Sequence, residues 1–170
     1  MPNNILSRYG TSTVITNAVA SLASDTNLLA GYESAVIDNT TDGFEDIILS
    51  GKRTTGTSPT ASRQIEVWAV AWDSNAWPDV FDGTSSAETI TSSDIKNAIC
   101  KCVAILSTNN TSDRTYSYTG ISAKQVFGGV LPSKFVLFTT HNTGVALNAT
   151  AGNHEDRYQG IYPQVQNATP

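Results

Sequence analysis

Two histidines, two cysteines and a scatter of serines and carboxylates are the residues that could do chemistry in this chain of 170 residues. His141 and His154 lie in stretches rich in Gly, Asn and Thr, so both are expected in loops and facing solvent. If the residues between them form a hairpin arm, Glu155 or Asp156 could join them at a metal. Zinc wants three or four convergent ligands, and this spacing matches no zinc signature. Cys100 and Cys102 are separated by one lysine. On a strand both would point to one face, which is poor disulfide geometry and reads as two small apolar groups on a buried face. Serine nucleophiles need a base and an orienting acid within reach, and no Gly-x-Ser-x-Gly elbow occurs. A glycine-rich phosphate loop leading into a helix is missing too. The acidic stretch with Asp73, Asp79 and Asp82-Gly83 departs from calcium-loop spacing and reads as turn chemistry. Asp38, Asp42, Glu45 and Asp46 cluster around an expected turn and read as a solvated face. The expectation is therefore no enzyme, no cofactor and no metal.

Trp68 and Trp72 fall on one face of an expected strand, where two exposed rings would suit a sugar platform and two buried rings would suit a core. The core reading is favoured, with the edge near Trp77 as the wet part. At the N-terminus, Ile5, Leu6 and Tyr9 stand in polar company and suggest a strap onto another subunit. Ile5, Leu6, Tyr9 and Trp77 are thus the expected partner-binding residues.

These residues must be positioned by short elements. Apolar runs of four to eight residues recur between turn-rich patches, and long helical periodicity is nearly absent. Strands are expected over residues 13–16, 28–37, 44–49, 63–72, 115–119, 134–140 and 158–165. Residues 50–63 read as a polar loop, and 73–86 as a long acidic one. The 95–107 segment fits either period; a strand from near Ala98 is expected, with room for a helical turn capped by Ser92-Ser93-Asp94 before it. A brief helix over 121–127 would close at Gly128-Gly129. Connections too short for βαβ crossovers make this an all-β, antiparallel, jelly-roll-like β-sandwich of about eight or nine strands, one domain with residues 1–16 as a candidate arm.

Only 15% of the residues are charged, and the net charge is −5. Thr, Ser and Asn (22, 18 and 13 residues) form close to a third of the chain. An acidic chain without a basic patch has nothing to hold phosphates, so neither nucleic acid nor an anionic membrane is an expected partner. No apolar run is long enough for a membrane span. The opening residues lack a charged start followed by an apolar run, so no secretory leader is expected.

One resemblance is visible in the order of motifs. Thr111-Ser112-Asp113-Arg114-Thr115-Tyr116 is followed by Val126-Phe127-Gly128-Gly129-Val130-Leu131-Pro132, the long 135–147 run, Gly152-Asn153-His154 and Tyr158-Gln159-Gly160-Ile161-Tyr162. With Asp46-Ile47-Ile48-Leu49 and Ile65-Glu66-Val67-Trp68 upstream, the chain resembles small structural proteins of tailed-bacteriophage virions over roughly residues 30–166. The resemblance implies a β-sandwich subunit located in the virion, a capsid decoration (cement) protein whose partners are the major capsid protein or other virion subunits. A homo-oligomer is expected, a trimer at local three-fold sites. A tail or adaptor subunit is equally compatible, and a carbohydrate- or receptor-binding module is the alternative from another class.

Overall fold

In a computed structural model, which describes residues 4–166, the chain forms eleven strand segments, two short α-helices and one turn of 3-10 helix. β1 (Asn4–Tyr9) and β2 (Thr13–Ile15) both pair antiparallel with β11 (Glu155–Gln166), the last strand. β3 (Ala30–Glu33) and β4 (Ile37–Asp38) pair with β10 (Lys134–His141), the last but one. β5 (Asp46–Thr54) pairs with β9 (Thr115–Ser122), and β6 (Arg63–Ala71) with β8 (Cys100–Thr108). First meets last, second meets last but one, and so inward: the chain is one long hairpin rolled over itself, the jelly-roll arrangement. The first sheet runs β1–β11–β5–β9. The second runs β7–β3–β10–β6–β8, with β7 (Ala87–Thr89) at its edge. The expected antiparallel sandwich is therefore the fold. Because β1 with β2, and β3 with β4, each share one row, the eleven segments fill nine rows.

The sheets close on Ile47 and Leu49 from one side and Ile65, Val67, Ala69, Phe135 and Leu137 from the other. The second sheet is also covered on its outer face. There Val70, Phe81, Ile90, Cys100, Val136 and Phe138 form another apolar cluster, with Phe81 and Phe138 packed edge to face at 5.5 Å. That double burial explains why β10 has an unbroken apolar run rather than an alternating one: Phe135 to His141 are all buried.

Several elements differ from expectation. Residues 28–37 are not one strand: between β3 and β4 the Ser34 hydroxyl accepts the Leu137 N–H at 2.9 Å, so a side chain replaces the ladder there. Residues 50–54 are not loop but the polar half of β5, paired with β9 and β11. The 95–107 segment divides into α1 (Ser93–Ile99) and β8. Ser92 caps α1, its hydroxyl accepting the Ile95 N–H at 3.2 Å. The short α2 (Ala123–Val126) is capped by Ser122 and followed by Gly128 and Gly129, both at positive φ, as expected.

One feature departs from a plain sandwich. β11 pairs with β5 only as far as Ile161 opposite Asp46. From there to Gln166 its one strand neighbour among the described residues is β1. The two strands thus run on as a two-stranded ribbon beyond the end of β5.

Candidate functional site

The histidines are not in open loops. His141 ends β10 and His154 precedes β11, and both are buried. His154 Nε2 lies 2.8 Å from the Asn148 carbonyl, to which it donates, while its Nδ1 accepts the Thr54 N–H at 3.4 Å. His141 Nε2 lies 3.0 Å from the Leu22 carbonyl and its Nδ1 3.0 Å from Thr143 Oγ1. Burial holds both imidazoles below their ordinary pKa. They act as neutral connectors that tie loops to strand ends. The loop expectation failed because Asn and Thr neighbours, read as turn formers, here supply the hydrogen bonds that let histidine be buried.

Asp156, next to His154, belongs to the main core network. Arg53 on β5, wholly buried, donates through Nη2 to Asp156 Oδ2 at 2.6 Å and to Thr139 Oγ1 at 2.8 Å. Its Nη1 donates to the Lys52 and Glu155 carbonyls at 2.9 and 3.2 Å. The Tyr118 hydroxyl donates to Asp156 Oδ1 at 2.7 Å, and the Asn17 amide donates to Oδ2. Although burial alone would lower it, Asp156 beside it raises the Arg53 pKa. Burial pushes Tyr118 up, and Asp156 adds to this. The cluster stitches both sheets together through β5, β9, β10 and β11.

The acidic loop splits as its turn chemistry suggests. Asp73 accepts the N–H groups of Asn75 and Ala76, and Asp79 accepts from Thr91. Asp82 likewise accepts the Thr84 N–H and hydroxyl, and it also meets Glu33 and Glu88, with one oxygen of each within 4.8 Å of the others. Glu33, fully buried, accepts the Gly83 N–H at 2.7 Å and the Asp82 N–H at 3.3 Å. Burial, helped by the Asp82 and Glu88 charges, pushes its carboxyl up to about 7. Gly83 has φ +83, and a Cβ there would strike the Trp77 ring at 2.9 Å. Sequence reasoning missed the trio because Glu33 comes from β3, far from the loop, and the β7 strand that carries Glu88 just past the loop was not expected. The trio offers three of the six to eight oxygens that a calcium ion takes.

On the outer face of the second sheet, Lys96 of α1 donates to Glu66 Oε2 at 2.6 Å and to the Leu28 carbonyl at 2.6 Å. Trp68 Nε1 donates to the same Glu66 oxygen at 2.8 Å. Trp68 on β6 and Trp72, just past its end, are half-buried, not inner core. Lys96 Nζ stands 4.9 Å from the Trp68 ring centre, and Lys134 Nζ 5.3 Å from that of Trp72. Trp77 is half-buried against the outer cluster. Cys100 is buried as expected, but Cys102 is exposed. Burial pushes the Cys100 thiol up to about 12 and raises Cys102 as well, so both are protonated at neutral pH.

The chain matches no family model, no curated protein and no solved structure.

Of the expected contact residues, Ile5, Leu6 and Tyr9 all lie on β1 and are exposed, Ile5 to 73% and Tyr9 to 65%. The cross-strand register puts Ile5, Ser7 and Tyr9 on one face with Pro163 and Ile161, and Leu6 and Arg8 on the other with Gln164 and Tyr162. The ribbon therefore carries large apolar groups on both faces. Trp77 belongs to the acidic loop, off the ribbon.

Proposed function

We propose that the chain is a structural subunit of a tailed-phage virion, a capsid decoration protein that reinforces the head by bridging major capsid subunits. The observation that carries this reading is the ribbon: Ile5, Leu6, Tyr9 and Tyr162 are exposed apolar groups on a two-stranded extension. Such a ribbon is marginal in water by itself and gains from being covered. The fold supports the reading, since jelly rolls serve widely as capsid and lectin domains. The polar side chains support it too: His141, His154, Arg53, Asp156, Glu66 and Lys96 are occupied by structural bonds. A glycan-binding reading has less behind it, because lysines stand over the faces of Trp68 and Trp72.

The test is co-sedimentation with phage heads. A chain lacking residues 1–10 keeps β2, whose Ile15 is in the core, and keeps Asn17 on Asp156. It is expected to fold and to stay in the supernatant, while the intact chain pellets with the heads. Undiminished pelleting of the truncated chain would remove the strap. Binding of the intact chain to purified tails and not to heads would move the protein to a tail or adaptor position.

A further inference from the structure

The outer edge of β1 is a self-complementary strand. Gly10 N–H donates to the Gly160 carbonyl at 2.8 Å, while the Ile161 carbonyl turns the other way and accepts the Glu45 N–H at 2.8 Å. Antiparallel ladders alternate, so Gly10, Arg8 and Leu6 direct their backbone groups toward β11. Tyr9, Ser7 and Ile5 then direct their N–H and C=O groups outward, with no strand beyond them among the described residues.

The other described edges are blunted. β7 is three residues long and holds Glu88. β8 carries Lys101 and a register shift opposite Val67 and Trp68. β9 is interrupted by Gly120 at φ +72. Of these devices β1 has only a charge, Arg8; it is six residues long, with no proline and no shift in register.

We infer that β1 pairs with β1 of a second copy of this chain, antiparallel, about a two-fold axis through Ser7. A two-fold perpendicular to the ribbon keeps its faces, so residues of like parity must oppose each other. Centred on Ser7, the three outward residues oppose outward residues: Ile5 meets Tyr9 of the second copy, Ser7 meets Ser7, and Tyr9 meets Ile5. Each such pair exchanges two bonds, up to about six in all. The side chains agree with this register. Two aromatic–aliphatic pairs form on one face, a favoured cross-strand combination. Arg8, the strand's one charge, faces Leu6 rather than its own copy. Centring on Leu6 instead would set Ile5 against Ser7 and lose both aromatic–aliphatic pairs. The inference is independent of the virion reading, because it concerns the isolated protein.

Sedimentation velocity over a dilution series of the full chain tests it. A monomer–dimer equilibrium is expected. Ser7→Pro removes an outward N–H and leaves the β1–β11 ladder intact, so it raises the dimer dissociation constant at least about tenfold with unchanged circular dichroism. Should the proline disturb the ribbon, Ser7→Lys sets two like charges across the axis with the backbone kept, and the same weakening is expected. Register is read by cysteine scanning in a Cys102→Ser background. Ser7→Cys is expected to give a disulfide-linked dimer, since opposed Cα atoms lie within disulfide reach, and Leu6→Cys is not. A chain that is monomeric at every concentration, a trimer, a dimer indifferent to both Ser7 variants, or crosslinking through Leu6→Cys in place of Ser7→Cys would each overturn the proposal.

Discussion

Asp156 takes hydrogen bonds from three side chains contributed by different parts of the chain, Arg53, Tyr118 and Asn17. Asp156→Asn keeps the shape and strands the buried Arg53 charge, so urea unfolding should show a loss of about 3–5 kcal/mol. Tyr118→Phe removes one bond to a charged group and should cost about 1.5–3 kcal/mol. Both costs falling under about 1 kcal/mol would mean that Arg53 does not depend on this pair. Titration adds a second prediction. The unfolded imidazole titrates near 6.5, and burial holds His141 and His154 lower in the fold. As pH falls below about 6.5 the unfolded chain takes up protons first, and their stabilising contribution is lost. Glu33 has the opposite sign. Its folded carboxyl titrates near 7 against an ordinary 4.5, so between those values its contribution is lost as pH rises. The two partly cancel in the wild type. Glu33→Gln should therefore show a steeper gain of stability from pH 5 to pH 7 than the parent, measured by denaturant midpoints at each pH. An identical slope would mean Glu33 is ionised in the fold. None of these partnerships was legible in the sequence, because Arg53 with Asp156 and Glu33 with Asp82 are joined only by topology. Spacing could flag residue types but not the long-range contacts that set their chemistry.

Local elements were more legible. The cap at Ser92, the paired glycines after α2 and the β6 strand all rest on signals within a few residues, and all stand where expected. Ser50, Lys52 and Arg53 have loop composition, but pairing on both sides carries β5 through to Thr54. β1 was visible as exposed apolar residues, but its partner was not, since β11 lies at the other end of the chain. Where the ribbon leaves the sandwich, the geometry depends on a glycine. A Cβ on Gly160 would come within 2.3 Å of the Phe44 ring, which also packs against Tyr162 at 6.2 Å. Gly160→Ala must displace that ring and loosen the root of the ribbon. Amide hydrogen exchange should speed up at Leu6, Arg8, Tyr162 and Gln164, whose N–H groups bond across the β1–β11 ladder, with the core of β6 and β10 unchanged. Unaltered protection in the ribbon would show that Phe44 does not set its root.

At the scale of the whole molecule, short apolar runs and brief connections identified a sandwich, but the nested order of pairs has no local signature and comes from rolling one long hairpin. What the composition contributes is the character of the surface. A net charge of −5 spread over a chain with 15% charged residues leaves no concentrated field, and two of its cations, Arg53 and Lys96, are committed to buried pairs. Contacts made by the ribbon would then rest on apolar burial and backbone pairing rather than on charge. Screening shortens from about 10 Å at 0.1 M salt to about 3 Å at 1 M and acts on exposed charges alone. The affinity of the ribbon contact, whether with a second copy or with a phage head, should accordingly change by less than about threefold across that range. Apolar contacts would, if anything, tighten in sulfate. Sedimentation in sodium chloride and in sodium sulfate separates the cases. A loss of binding that is steep in chloride would place Arg8, or an acidic patch on the sandwich, at the contact in place of Ile5 and Tyr9.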